Sequence, residues 1–227
     1  MNTKKAVIES IWLATGLTAF SYSLGLWAGW IHHLNWLEVF AVWTSYSCTW
    51  LCTRQSRWNY PMGVITTAAY SLLFYQTGSI ALATFNLYLV FSLAYGWFRW
   101  GKDEDTRPVS RIPLVWYLAY GGFGAIILGA FLVVVALIDP KGIASLSPID
   151  VGLAVFSGVA QIMLDNKKLE NWVVWAGINI VSIPYFIHLG IPLVAFQYIF
   201  FLANTVIGFV AWRRTMNGGM AHVPVPA

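Results

Sequence analysis

Charge is scarce in this chain. Asp, Glu, Lys and Arg make up 10% of its 227 residues, against about 25% in an ordinary soluble domain. So few charges cannot clothe a surface in water. Cysteine is nearly missing: Cys48 and Cys52 stand one helical turn apart in an apolar run. Two such thiols make neither a disulfide framework nor a metal site, and they read as buried core residues. No acid falls in the middle of an apolar stretch. Glu38, Asp150 and Asp165 stand at the ends, where capping or loop roles suffice. Ion-driven carriers usually place carboxylates inside the membrane, so coupling is disfavoured, although backbone carbonyls could still hold sodium. No zinc-protease, nucleophile-elbow or paired-carboxylate pattern occurs, which argues against an enzyme, and neither cofactor nor metal is expected. Gly96 to Asp103 resembles a P-loop only superficially, lacking the closing Ser/Thr and a preceding strand. The adjacent His32 and His33 read as a solvated turn.

What is present is apolar. Hydrophobic residues make 59% of the chain, which carries 13 Trp. It reads as an all-α integral membrane protein of about seven or eight helices, with no room for a separate soluble domain. The net charge of +4 is spread over short loops, as membrane orientation requires, and does not suggest nucleic acid. Apolar segments fall at 10–31, 38–53, 60–76, 80–100, 113–137, 149–165, 171–188 and 192–212. Asn35 and Ser147 each precede an acid by three residues, a capping-box pattern. Pro61, Pro113, Pro148 and Pro192 sit in first turns, whereas Pro184 lies inside a segment and should kink it.

The membrane half is written twice. Residues Glu38–Trp100 and Asp150–Trp212 align without a gap at an offset of 112. The register superimposes Ser45 on Ser157, Asn59 on Asn171, Phe74 on Phe186, Gly96 on Gly208 and Trp100 on Trp212. Identity is low, but segment starts, loops and ends coincide. Internal repeats of this kind are common in transporters, which hold substrate between the repeats near the midplane. The expected architecture is a 3+1+3 arrangement of two parallel three-helix repeats joined by a linker helix, plus an N-terminal apolar helix. The divisions are 1–37 for the N-terminal segment, 38–112 for the first repeat, 113–147 for an unpaired linker helix and loop, 148–214 for the second repeat, and 215–227 for a disordered tail. An odd number of spans per repeat would invert the second triplet, and the linker span restores its orientation. Segment 10–31 either spans or lies on the outer face; its apolar length favours spanning.

Basic residues mark one side. Arg54 and Arg57, Arg99 to Arg111, Lys167 and Lys168, and Arg213 and Arg214 all fall at the same end of the repeated helices, and the opposite loops are nearly neutral. The basic loops and the C-terminus are therefore expected in the cytoplasm.

The densest polar–aromatic group is Trp172, Trp175 and Asn179, which share one helix face. Asn179 is the deepest, and an unpaired carboxamide there is costly, so it reads either as path lining or as interhelical glue. Trp172 is near a helix end and could be an interfacial anchor. Gln197 and Asn204 share a face of the last helix, and Asn86 lies at about the depth of Gln197 in the first repeat. Trp175, Asn179 and Gln197, then Asn204, Asn86 and Trp172, are the candidate substrate-binding residues.

The run Arg57-Trp-Asn-Tyr60, the Tyr95-Gly-Trp-Phe-Arg-Trp100 helix end and Lys168-Leu-Glu-Asn-Trp-Val-Val-Trp175 with Asn179 resemble the PnuC nicotinamide riboside transporters. That family is related to the SWEET sugar transporters, and the resemblance covers about 38–212. It implies a SWEET-like fold with a central riboside site. It further implies facilitated diffusion, assembly as a trimer in a bacterial inner membrane, and trapping of the product by a cytoplasmic riboside kinase. The residues suit such a substrate: indoles attract a pyridinium cation by about 0.5–2 kcal/mol per contact, and carboxamides pair with an amide and ribose hydroxyls. A transporter of another vitamin or nucleoside on the same fold, with a thiamine- or riboflavin-like substrate, is the alternative.

Overall fold

The structure, a computed structural model, describes residues 3–31, 35–76, 80–100, 108–138, 147–188 and 192–220. Among these residues the chain is all helical: α1 (Thr3–Trp27), α2 (Trp36–Thr53), α3 (Asn59–Gln76), α4 (Ile80–Trp100), α5 (Trp116–Ile138), α6 (Pro148–Asp165), α7 (Asn171–His188) and α8 (Pro192–Met220). His32-His33, most of the near-neutral loops, residues 101–107 and 221–227 lie outside the described residues.

The helix starts have local causes. The Asn35 carboxamide accepts hydrogen bonds from the Leu37 and Glu38 amides, and the Ser147 hydroxyl accepts one from Ile149. Both relieve amides that an N-terminal turn leaves without partners. Pro148 and Pro192 open α6 and α8. Pro113 does not open a helix as expected; its carbonyl takes the Trp116 amide in a turn, and α5 begins at Trp116. At the other end of the chain α8 runs on to Met220, past the end expected near Trp212.

Large apolar side chains cover the outside. Trp12, Trp27, Phe91, Leu114, Leu118 and Leu137 are among those exposed. A face of this kind meets lipid, not water. Residues Trp116–Leu137 and Ala195–Gly218 are long and apolar enough to cross a bilayer on length and hydropathy alone.

The packing pairs define a ring. Helix α2 packs on α3, α3 on α4, α4 on α6, α6 on α7, α7 on α8, and α8 back on α2. Helix α1 fits outside the ring on α2 and α8, and α5 fits outside on α6 and α4. These relations exchange under the 112-residue shift: α2 with α8 becomes α6 with α4. The same shift carries α1 onto 115–139, a stretch that contains α5. The helix expected as an unpaired linker therefore has a positional counterpart in α1. Both helices pack against the joint between the halves, α1 on α2 and α8 and α5 on α6 and α4. Helix α1 runs antiparallel to α2. Glu9 pairs with Arg54 at 2.7 Å near one end, Ser47 Oγ donates to Ser10 Oγ at 3.1 Å, and Trp43 Nε1 donates to Thr15 Oγ1 further along.

The turns between α2 and α3 and between α6 and α7 superimpose in detail. Gln55 and Lys167, one shift apart, both have positive φ, 54° and 46°. Asn59 Nδ2 donates to the Ser56 carbonyl at 2.7 Å, and Asn171 Nδ2 donates to the Lys168 carbonyl at 2.6 Å. Duplicated geometry down to a strained backbone position supports the repeat far better than the low identity does. The segment after α4 then docks on the second turn. The Ser110 amide donates to the Lys167 carbonyl, the Ser110 carbonyl accepts from the Leu169 amide, and Glu170 accepts from the Ile112 amide.

Candidate functional site

The end of the ring that carries the basic residues is closed by aromatic rings. Tyr60 meets Trp100 edge-on at 5.2 Å, and its counterpart Trp172 meets Trp212 edge-on at 5.4 Å. Trp100 and Trp212, themselves one shift apart, lie 6.1 Å from each other. All four are buried, within one apolar cluster. Two glycines make room. A Cβ on Gly96 would come within 2.0 Å of the Tyr60 ring, and one on Gly208 within 2.5 Å of the Trp172 ring. Lys167 is buried with its Nζ 4.7 Å from the Trp100 ring centre.

Polar bonds tie the halves together at this level. Tyr60 Oη donates to Asp165 Oδ1 at 2.8 Å, and Gln161 Nε2 donates to the same oxygen at 2.9 Å. Thr53, the counterpart of Asp165, donates to Asn204 Oδ1 at 3.1 Å. Trp212 Nε1 donates to the Cys52 carbonyl at 3.2 Å. Asp165 does not fill the loop or capping role expected of it. It is fully buried at the end of α6, between a residue of each half. Its position at a segment end concealed this, because the chain continues inward into the packed α6–α7 turn.

The candidate residues separate into groups. Trp172 belongs to the aromatic closure just described. Gln197 is buried; its Nε2 donates to Ser45 Oγ at 3.2 Å, and its Oε1 accepts from Tyr70 Oη at 3.3 Å. Asn204 accepts from Thr53 and donates to the Thr49 carbonyl at 3.3 Å. Both carboxamides of α8 therefore bind the second half to the first. Asn179 is 2% exposed, yet its side chain makes no hydrogen bond among the described residues. Ser182, one turn further along α7, is buried with its hydroxyl facing that of Tyr198. Trp175 is half-buried one turn before Asn179, and Asn86 is half-buried on α4. No hydrogen bond or ring contact joins Trp175 or Asn179 to Gln197 or Asn204 among the described residues.

Two cavities lie where α8 meets the first half. The larger, about 180 Å³, is lined by Leu17, Tyr46, Trp50, Phe200, Phe201 and Asn204 among others. The smaller, about 50 Å³, is lined by Ser21, Glu38, Tyr46, Tyr70, Phe74 and Gln197 with two aliphatic residues. It lies toward the end opposite the basic loops, since Glu38 is in the first turn of α2 and Gln197 in the second of α8. Neither lining includes a cation. Helical spacing does not link Ser45, Tyr70 or Glu38 to Gln197, and Glu38 reads from sequence as a capping or loop residue. Only the fold brings them to Gln197.

A family model described as "Nicotinamide mononucleotide transporter" matches residues 35–214. The nicotinamide riboside transporter PnuC of Escherichia coli K12 is 23% identical over 206 residues, covering 80% of this chain and 86% of that protein. PnuC of Haemophilus influenzae is 26% identical over 216 residues, covering 92% and 91%. A crystal structure of the vitamin B3 transporter PnuC superimposes with a TM-score of 0.71 over 92% of both chains at 18% identity. The match of the family model to most of the chain, with a helical architecture shared over nearly its full length, places this protein in the PnuC family of membrane transporters.

Proposed function

We propose that this chain moves nicotinamide riboside across a bacterial inner membrane by facilitated diffusion, along the axis of the helical ring between the two halves. The match of residues 35–214 to a transporter family carries this reading. The basic loops and C-terminus face the cytoplasm on the distribution of Lys and Arg. The Tyr60, Trp100, Trp172 and Trp212 cluster is then the closed inner end. Alternating access requires Trp100 and Trp212 to separate, with rupture of the Tyr60–Asp165 and Thr53–Asn204 bonds. Asn179 supports a binding role because it is a buried carboxamide left without a protein partner. A ligand amide or hydroxyl satisfies it at little cost, whereas an empty site leaves it unpaired. Gln197 and Asn204 exchange their present partners for substrate as the halves move. Trp175 supplies a ring face to the pyridinium. Trp172 acts through the closure rather than by touching substrate, and Asn86 contributes from α4.

The description of the family names the mononucleotide, and the curated relatives are named for the riboside. The riboside is favoured here by one observation: the cavity linings hold a carboxylate and no cation, which does not suit a phosphate. The working unit is a trimer, and a cytoplasmic riboside kinase keeps inward flux running. Calorimetric titration of the purified protein with nicotinamide riboside tests the site. Asn179→Leu is expected to bind more weakly by about 0.5–1.5 kcal/mol, on the order of one hydrogen bond. Trp175→Ala should lose more, since ring contact goes as well. Parent-like binding by both variants, each monodisperse, would place the site elsewhere.

A further inference from the structure

The smaller cavity has a use that the transport path alone does not assign. Its walls are the rings of Tyr46, Tyr70 and Phe74, and its polar groups are the Glu38 carboxylate, the Gln197 carboxamide and the Ser21 hydroxyl. The Glu38 side chain is half-buried and has no hydrogen-bond or ion-pair partner among the described residues. Tyr22, packed with Val42 and Tyr46 of the same lining, has a buried hydroxyl without a hydrogen-bond partner. The hydroxyls of Ser21 and Tyr46 lie 3.1 Å apart, and Tyr70 is held to Gln197. Unlike the aromatic closure, this group is duplicated only in part: the shift pairs Glu38 with Asp150 and Phe74 with Phe186, and the other positions differ. The shift carries Tyr46 to Gly158, Tyr70 to Ser182, Gln197 to Phe85 and Ser21 to Val133.

A carboxylate half withdrawn from water, without a cation, is costly unless a positive group visits it. Aromatic rings beside it add the face on which a flat cation rests. The volume of about 50 Å³ holds a few waters but not a whole riboside. It fits an entry point that widens as the halves move, not the central site. A free phosphate or a nucleotide would meet Glu38 with like charge.

We infer that Glu38, Tyr46, Tyr70, Phe74 and Gln197 form a cation-selecting entry subsite that receives the positively charged ring of an N-substituted pyridinium and turns away phosphorylated analogues. The inference deepens the riboside reading and rests on it. Glu38 is a specificity residue here, and its position at the start of α2 does not conflict with this. Gln is accepted at the same capping position, so Glu38→Gln removes the charge and keeps the helix start.

The test is calorimetric titration of the detergent-purified parent and Glu38→Gln proteins. The ligands are nicotinamide riboside, its uncharged dihydro form, nicotinamide mononucleotide and thiamine, an unrelated aromatic cation. The subsite predicts that Glu38→Gln weakens the cationic riboside by about tenfold. The dihydro form should stay within about twofold, and the gap between riboside and mononucleotide should narrow. Phe74→Leu should weaken the cation more than the dihydro form. Equal losses for charged and uncharged ribosides would overturn the subsite and leave it a packing group. No change in Glu38→Gln, with the parent binding riboside normally, would overturn the subsite alone. A parent that binds thiamine in a Glu38-dependent way but no riboside would keep the subsite and discard the riboside reading. A parent that binds none of these ligands would discard both.

Discussion

At the basic end of the ring the two halves repeat several of each other's contacts, and at the opposite end fewer of them recur. Tyr60 on Trp100 is answered by Trp172 on Trp212, and Gly96 by Gly208. Towards the other end, the Tyr70–Gln197 hydrogen bond has Ser182 and Phe85 at the corresponding positions, which cannot make it. The contrast separates two tasks. A closure between two similar halves is built from similar parts, because each half must fit a similar surface on the other. Recognition of an unsymmetrical small molecule needs different groups on its two sides. The asymmetric end is also where a cavity carries the acidic group. Even within the closure the match is incomplete: Asp165 stands where the first half has Thr53, and each reaches across with a different bond.

The contrast breaks most readily at the glycines. Gly96→Ala and Gly208→Ala drive a methyl into Tyr60 and Trp172 respectively. Each should lose stability at or above the upper end of the about 1–3 kcal/mol that overpacking costs. Thermal unfolding followed by size-exclusion chromatography reads this directly. Tyr60→Phe comes next: it removes a donor from buried Asp165, at a cost of about 1–3 kcal/mol. Tyr70→Phe at the opposite end should cost less, about 0.5–1.5 kcal/mol, since its bond to Gln197 is longer. If the order of the two tyrosines reversed, the division between structural and recognition ends would be wrong. Smallest of all, Gly177→Ala meets open space. It should shift stability by less than about 1 kcal/mol, with the sign set by helix propensity alone.

Much of the architecture was legible because apolar runs, caps and the constant offset are local or linear signals. Asn35 and Ser147 cap their helices as the sequence proposes, although Glu38 does not make the reciprocal bond of a capping box among the described residues. The membership of α1 in the duplication was not legible. Helices α1 and α5 share length and placement rather than side chains, since each faces lipid on one side and the joint between halves on the other. For the same reason the candidate site was read in part. Helical spacing puts Trp172, Trp175 and Asn179 on one face of α7, but it does not tell which of them the neighbouring helices take into packing. Trp172 went to Gly208 and Trp212. Asp165 and Glu38 read as termini because sequence shows where a helix ends, not what lies beyond it. The Ser45–Gln197 and Tyr70–Gln197 bonds join residues more than a hundred positions apart. Only ring closure brings them together.

The central claim is that the two halves conduct nicotinamide riboside without an energy source. Its most direct test is uptake of the radiolabelled riboside into sealed proteoliposomes containing only this protein, with no kinase, nucleotide or ion gradient. The account predicts saturable entry that stops when the inside concentration equals the bath, and mononucleotide entering no faster than into protein-free vesicles. Accumulation well above the bath on imposing a proton or sodium gradient, abolished by an ionophore, would contradict it.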